Sequence, residues 1–153
     1  MDIYKHKQQG WGIIGIVVVV LVVALFCLVR FGCIGFDPLL AGVVTVILVG
    51  MLFAEMTVII DGEYLKVSFS MNIINIKFRF DEITSCKVVK NPWYQPWGIH
   101  YGGGRWFYNV SGYDAVEITL KNGNVHIIGT NEPEKLEQAI RKTLVLNRET
   151  GHP

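Results

Sequence analysis

Residues 57–80 read TVIIDGEYLKVSFSMNIINIKFRF, and their alternation decides how the polar part of the chain folds. Val58 and Ile60, then Leu65, Val67 and Phe69, then Ile74, Ile76, Phe78 and Phe80 take every second position, mostly with polar or small residues between them. A period of two sends successive side chains to opposite faces, so these are strands with one buried face. Asp61-Gly62 separates the first two runs and predicts a tight hairpin, because a type I′ turn needs positive φ, which glycine accepts freely. Ser70-Met71-Asn72 makes the next break.

Downstream, residues 84–90 read as a fourth strand, 91–104 as a long loop and 105–110 as a fifth strand. Residues 115–120 and 125–128 are joined through Lys121-Asn122-Gly123-Asn124, a second Asn-Gly hairpin signal. After them Thr130 or Asn131 can cap a helix with Pro133 in its first turn, acids Glu132, Glu134 and Glu137 near its start, and Arg141 and Lys142 later. Leu136, Ala139, Ile140 and Leu144 form one apolar stripe at helical spacing. Seven short antiparallel strands closed by one amphipathic helix predict a partly open barrel capped by that helix.

Upstream the chain changes character. Residues 11–29, WGIIGIVVVVLVVALFCLV, carry no charge, and about nineteen residues of helix nearly span a hydrocarbon core of roughly 30 Å. A second apolar run over about 37–55 starts at Asp37-Pro38, where proline suits a first helical turn. Two transmembrane helices in a hairpin are expected, with residues 1–56 as tail and hairpin, 57–146 as the β domain and 147–153 as a tail. Lys5 and Lys7 before the first run, and Lys66, Lys77 and Arg79 after the second, outnumber Arg30 between them. Both termini are therefore expected in the cytoplasm, in a multi-pass protein of the plasma (inner) membrane whose first partner is the lipid bilayer.

The whole chain has 153 residues, 14 Lys and Arg against 13 Asp and Glu, and a formal charge of +1. No basic field exists to attract nucleic acid. Three cysteines, Cys27 and Cys33 in or beside the apolar runs and Cys86 in the polar part, make no disulfide framework. His100, His126 and Cys86 lack metal-ligand spacing, and no Ser, Cys or Thr stands in a nucleophile motif. The chain reads as neither an enzyme nor a cofactor or metal carrier.

Trp97-Gly98-Ile99, Trp106-Phe107-Tyr108-Asn109-Val110-Ser111-Gly112, Ala115-Val116-Glu117 and Ile128-Gly129-Thr130 followed by Glu132-Pro133 carry a resemblance. With the hairpin, they resemble a bacterial membrane protein family that has two transmembrane helices and a PH-like (pleckstrin-homology-like) domain. The resemblance spans roughly residues 61–144 and implies a fold and a location, but no activity.

Candidate contact residues gather in and around the long loop. Trp93, Tyr94, Trp97 and Tyr101 are amphipathic aromatics among Pro92, Pro96 and Gly98, a composition suited to a partner surface. Lys87, Lys90 and Arg105 are cations that can meet an anionic headgroup. Trp97, Ile99 and Trp106 can equally pack the end of the barrel. The expected function is a membrane-anchored interaction module, a scaffold or assembly factor that binds another protein or itself. The alternatives are a sensor of anionic lipid headgroups or envelope state, and an accessory subunit of a transporter or membrane enzyme.

Overall fold

The structure, a computed structural model, describes residues 3–31, 36–70, 72–92 and 96–150, with the side chains of residues 28, 31, 36–39 and 150 outside that description. The elements run β1 (Tyr4–Gln9), α1 (Trp11–Phe31), α2 (Phe36–Phe53), β2 (Glu55–Ile60), β3 (Tyr64–Phe69), β4 (Ile74–Arg79), β5 (Ile83–Lys90), β6 (Gly98–Gly102), β7 (Arg105–Asn109), β8 (Asp114–Leu120), β9 (Val125–Gly129) and α3 (Pro133–Thr150).

The alternation in residues 57–80 produces β2, β3 and β4, paired antiparallel with Val58 opposite Val67 and Val67 opposite Ile76. Asp61 closes the first hairpin: its Oδ1 accepts the Glu63 and Tyr64 N–H groups at 3.2 and 2.8 Å, and Gly62 takes φ +96°. A 3-10 turn at Phe80–Glu82 then carries the chain from one sheet to the other. The four-stranded sheet has the order β1-β2-β3-β4 and the five-stranded sheet β5-β8-β9-β7-β6. Met56, Val58, Leu65, Val67 and Phe69 from the first share a core with Val116, Ile118 and Ile128 from the second. Leu136 and Ile140 of α3 enter that core fully buried, so the apolar stripe of the closing helix covers the sheets.

Both ends of the helical pair are tied to adjacent strands. β1 leads into α1 through Gly10, whose N–H donates to the Ala54 carbonyl at 2.8 Å just where α2 hands over to β2. A Cβ on Gly10 would lie 2.8 Å from the Phe53 carbonyl oxygen, so only glycine fits. Within the pair, a Cβ on Gly50 would lie 2.4 Å from a Val17 methyl, which shows how closely α1 and α2 approach.

The structure corrects several expectations. Among the described residues no helix is long and apolar enough to cross a membrane. The expected transmembrane hairpin, with the multi-pass inner-membrane location and cytoplasmic termini built on it, is therefore not supported. The seven-stranded, all-antiparallel barrel is replaced by two open sheets with nine strands among the described residues. Two strands enter from segments read as tail and loop, β1 and β6. β7 runs parallel to β9, and the 3-10 turn separates β4 from β5, which pair in different sheets. The resemblance to two-helix membrane proteins with a PH-like domain loses both of its structural supports, the spanning hairpin and the seven-stranded, partly open barrel.

α1 and α2 are nevertheless apolar on all sides: Val18, Val19, Val22, Phe26, Leu48 and Met51 are exposed. A helix of that composition needs apolar surroundings to be stable.

Candidate functional site

The connection after Asn91 ends at Trp97, which sits on the start of α1. A Cβ on Gly12 would lie 2.1 Å from Trp97 Cη2, so the indole occupies the space that glycine leaves open. Gly98 follows at φ +109°, a conformation that side chains resist, and a Cβ there would meet the Phe53 ring at 3.7 Å. These glycines let Trp97 and the start of β6 approach the helical pair closely. Beside Trp97 opens a cleft of about 620 Å³, lined by Ile13, Val17, Val49 and Phe53 of the helices together with Trp97 and Tyr113. Thr45 supplies a hydroxyl, but it donates to the Ala41 carbonyl at 2.8 Å and so presents no free hydrogen to the cleft.

β6 distributes the next residues by its pleat. Ile99 packs against the main core. Tyr101 lies opposite Trp106 of β7, with ring centroids 5.3 Å apart, and the two remain 62% and 40% exposed. On the other face His100 stacks on Phe107 at 4.8 Å, next to a small second core of Phe107, Ala115 and Ile127. Burial holds the His100 imidazole below its usual range.

The cations do not form a bare patch. Lys87 and Arg105 reach the same carboxylate, Glu117 of β8, at 3.0 and 3.2 Å, and that side chain is only 7% exposed. Register explains the arrangement, since Lys87 is opposite Glu117 in the β5–β8 pair. Lys90 lies opposite Asp114 at the end of the same pair. Trp93 and Tyr94 lie outside the described residues. The structure thus brings Lys87 and Arg105 together, places Trp97 on the helices, and leaves Tyr101 with Trp106 as a separate exposed pair. Sequence reasoning missed Glu117 and Tyr113. A lone acid inside the apolar run Ala115–Val116–Glu117–Ile118 was the available signal for the first, because a buried carboxylate demands partners. Tyr113 carries no signal of its own, since only the fold sets it against α1 and α2.

Inside the sandwich, His126 is 8% exposed, bonded through Nδ1 to the Tyr108 hydroxyl at 3.0 Å and tilted against Phe78 at 4.7 Å. Burial lowers its affinity for a proton and pushes the Tyr108 phenol up to about 12. The fold therefore accommodates the neutral imidazole, whereas the unfolded chain takes up a proton at the ordinary histidine pKa of about 6.5. Stability should be intact above that value and fall as pH drops through it towards the lower folded pKa. Urea unfolding at about pH 7.5 and about pH 5, above the carboxylate range, should show a lower midpoint at the acid end. His126→Gln should shrink that drop, with His100 supplying the remainder; an undiminished drop would refute the assignment.

Among the described residues no three His, Cys, Asp or Glu side chains converge as metal ligands. No family model matches the chain, and no curated protein or solved structure matches it closely enough to carry an inference. The expected kinship with PH-like membrane proteins is therefore without support from comparison as well.

Proposed function

We propose that the protein is a non-catalytic interaction module, a scaffold or assembly factor, and that its partner is a protein that lays an apolar helix into the cleft between α1, α2 and Trp97. The cleft carries the reading. Its walls bear no charge, so the occupant must be apolar. It is continuous with exposed aliphatic side chains of both helices, Ile16 and Val49 among them, which a further helix would cover by ridge-into-groove packing. Trp97 and Tyr113 stand at its edge, the residue types that dominate binding energy at protein interfaces. The near-zero net charge fits a partner recognised by shape and apolar contact more than by long-range attraction. For the headgroup alternative, Lys87 and Arg105 share the Glu117 carboxylate, so they offer an oriented guanidinium in place of the open cation cluster it invoked.

A photoreactive phenylalanine analogue in place of Tyr113, activated in intact cells, tests the proposal. The expected result is one protein adduct whose crosslinked peptide is an apolar segment, reduced at least about tenfold by Val49→Asp, since an unpaired charge in the cleft opposes apolar contact. Absence of a protein adduct, an adduct indifferent to Val49→Asp, or capture of lipid alone would each overturn it.

A further inference from the structure

The outer face of the five-stranded sheet holds a second concavity, apart from the cleft on the helices. It has about 360 Å³ of space, a floor of Phe107 and Ile127, and a rim that includes Asn91, Gly102, Gly103 and Arg105. Asn91 is 6% exposed, and its main-chain N–H donates to the Tyr113 carbonyl at 2.6 Å, which fixes the residue at the end of β5. Its side-chain Oδ1 is buried and accepts no hydrogen bond among the described residues. A buried acceptor left without a donor costs free energy, so a group that donates to it there is favoured.

Arg105 supplies the complementary chemistry. Glu117 accepts one guanidinium N–H, from Nη1, and so orients a fork whose other N–H groups, unbonded among the described residues, can meet an anion. The Gly102–Gly104 hairpin keeps the mouth clear: Gly103 and Gly104 turn at φ +58° and +77°, and a Cβ on Gly103 would meet nothing within 4 Å.

We infer that this concavity binds a small organic anion, a carboxylate or phosphate that also carries a hydroxyl or amino donor, with the anion on Arg105, the donor on Asn91 Oδ1 and the carbon skeleton over Phe107 and Ile127. Such chemistry is offered equally by a free hydroxylated metabolite and by a glycerophosphate headgroup.

The test is a titration of the full-length, nitrogen-15-labelled protein with glycerol 3-phosphate and with glycerate, followed at the Gly103 amide and the Asn91 side-chain amide. Saturable shifts are expected for both. Glycerol and inorganic phosphate should bind at least about tenfold more weakly, because glycerol lacks the anion and inorganic phosphate lacks the hydroxylated carbon skeleton that carries a donor from Arg105 to Asn91. Arg105→Gln should weaken binding by a similar factor, and Asn91→Asp should do so by replacing an amide with a like charge. Lys87→Gln, outside the concavity, should change it little. No saturation, equal binding of inorganic phosphate, or equal loss in Lys87→Gln would overturn the inference. Vesicles containing phosphatidylglycerol separate the sources: shifts of Gly103 on the vesicles assign the site to a headgroup, and shifts only with the free anions assign it to a soluble metabolite.

Discussion

Phe69→Ala is expected to lower the unfolding free energy by about 3–5 kcal/mol, the cost of deleting a fully buried aromatic ring and leaving its cavity. Phe69 has no exposed surface, and it ends β3 at the point where the strand meets α2. Its ring packs edge-on against Phe53, the last residue of α2, with centroids 5.8 Å apart and planes at 76°. The substitution therefore empties the core and also loosens the seat of the helical pair. Urea unfolding measures the first effect. Limited proteolysis near Ala54, where α2 gives way to β2, reads the second, and cleavage there should accelerate. A loss below about 1 kcal/mol would mean that the site collapses around the cavity and that Phe69 does not join the two parts.

Gly129→Ala should destabilise the fold by about 1–3 kcal/mol from overpacking. A Cβ at Gly129 would fall 2.3 Å from Asn109 Oδ1 and 2.8 Å from its Cγ. Asn109 cannot easily withdraw. It is 3% exposed, its Oδ1 accepts the Ser111 N–H at 3.1 Å, and its Nδ2 donates to the Gly112 carbonyl at 3.1 Å. Those bonds hold the turn after β7, next to the Ser111 that receives the Gln8 side chain from β1. The methyl group thus strains a joint between both sheets. In combination with Asn109→Ala, which removes the clashing amide, the total cost should fall short of the sum of the single losses. Additivity in that double-mutant cycle would place the strain elsewhere.

Both predictions concern joints, and joints mark the boundary between what local sequence specifies and what it does not. The strands from β2 to β4 are local information, because a period of two is imposed by the strand itself and Asp61-Gly62 carries its own turn chemistry. The apolar stripe of α3 is local for the same reason at a period of 3.6. β1 is different. Tyr4–Gln9 reads YKHKQQ, with no apolar alternation, and it is a strand only because β2 offers an edge to pair with. β6 is short and glycine-flanked, and its extension follows from pairing with β7. The parallel pairing of β7 and β9 joins segments separated by β8, a choice made by packing and invisible to any periodicity.

The candidate sites divide along the same line. The sequence alone determined the residue types available: amphipathic aromatics around residues 91–106, a sparse set of cations and a near-neutral balance. It also determined two strongly apolar helical runs, about 11–29 and 37–55, which the structure places at 11–31 and 36–53, although reading them as membrane spans went beyond what the described helices support. Only the tertiary structure decided that Trp97 lies over Gly12, that Tyr113 lines the cleft, that Lys87 and Arg105 converge on Glu117, and that Asn91 is buried with an acceptor unanswered among the described residues. The physical reason is range. Periodicity, caps and turns act over a few residues, whereas a cleft, a shared carboxylate or a close glycine contact depends on strand register between segments tens of residues apart, and register is settled by burial of the whole core.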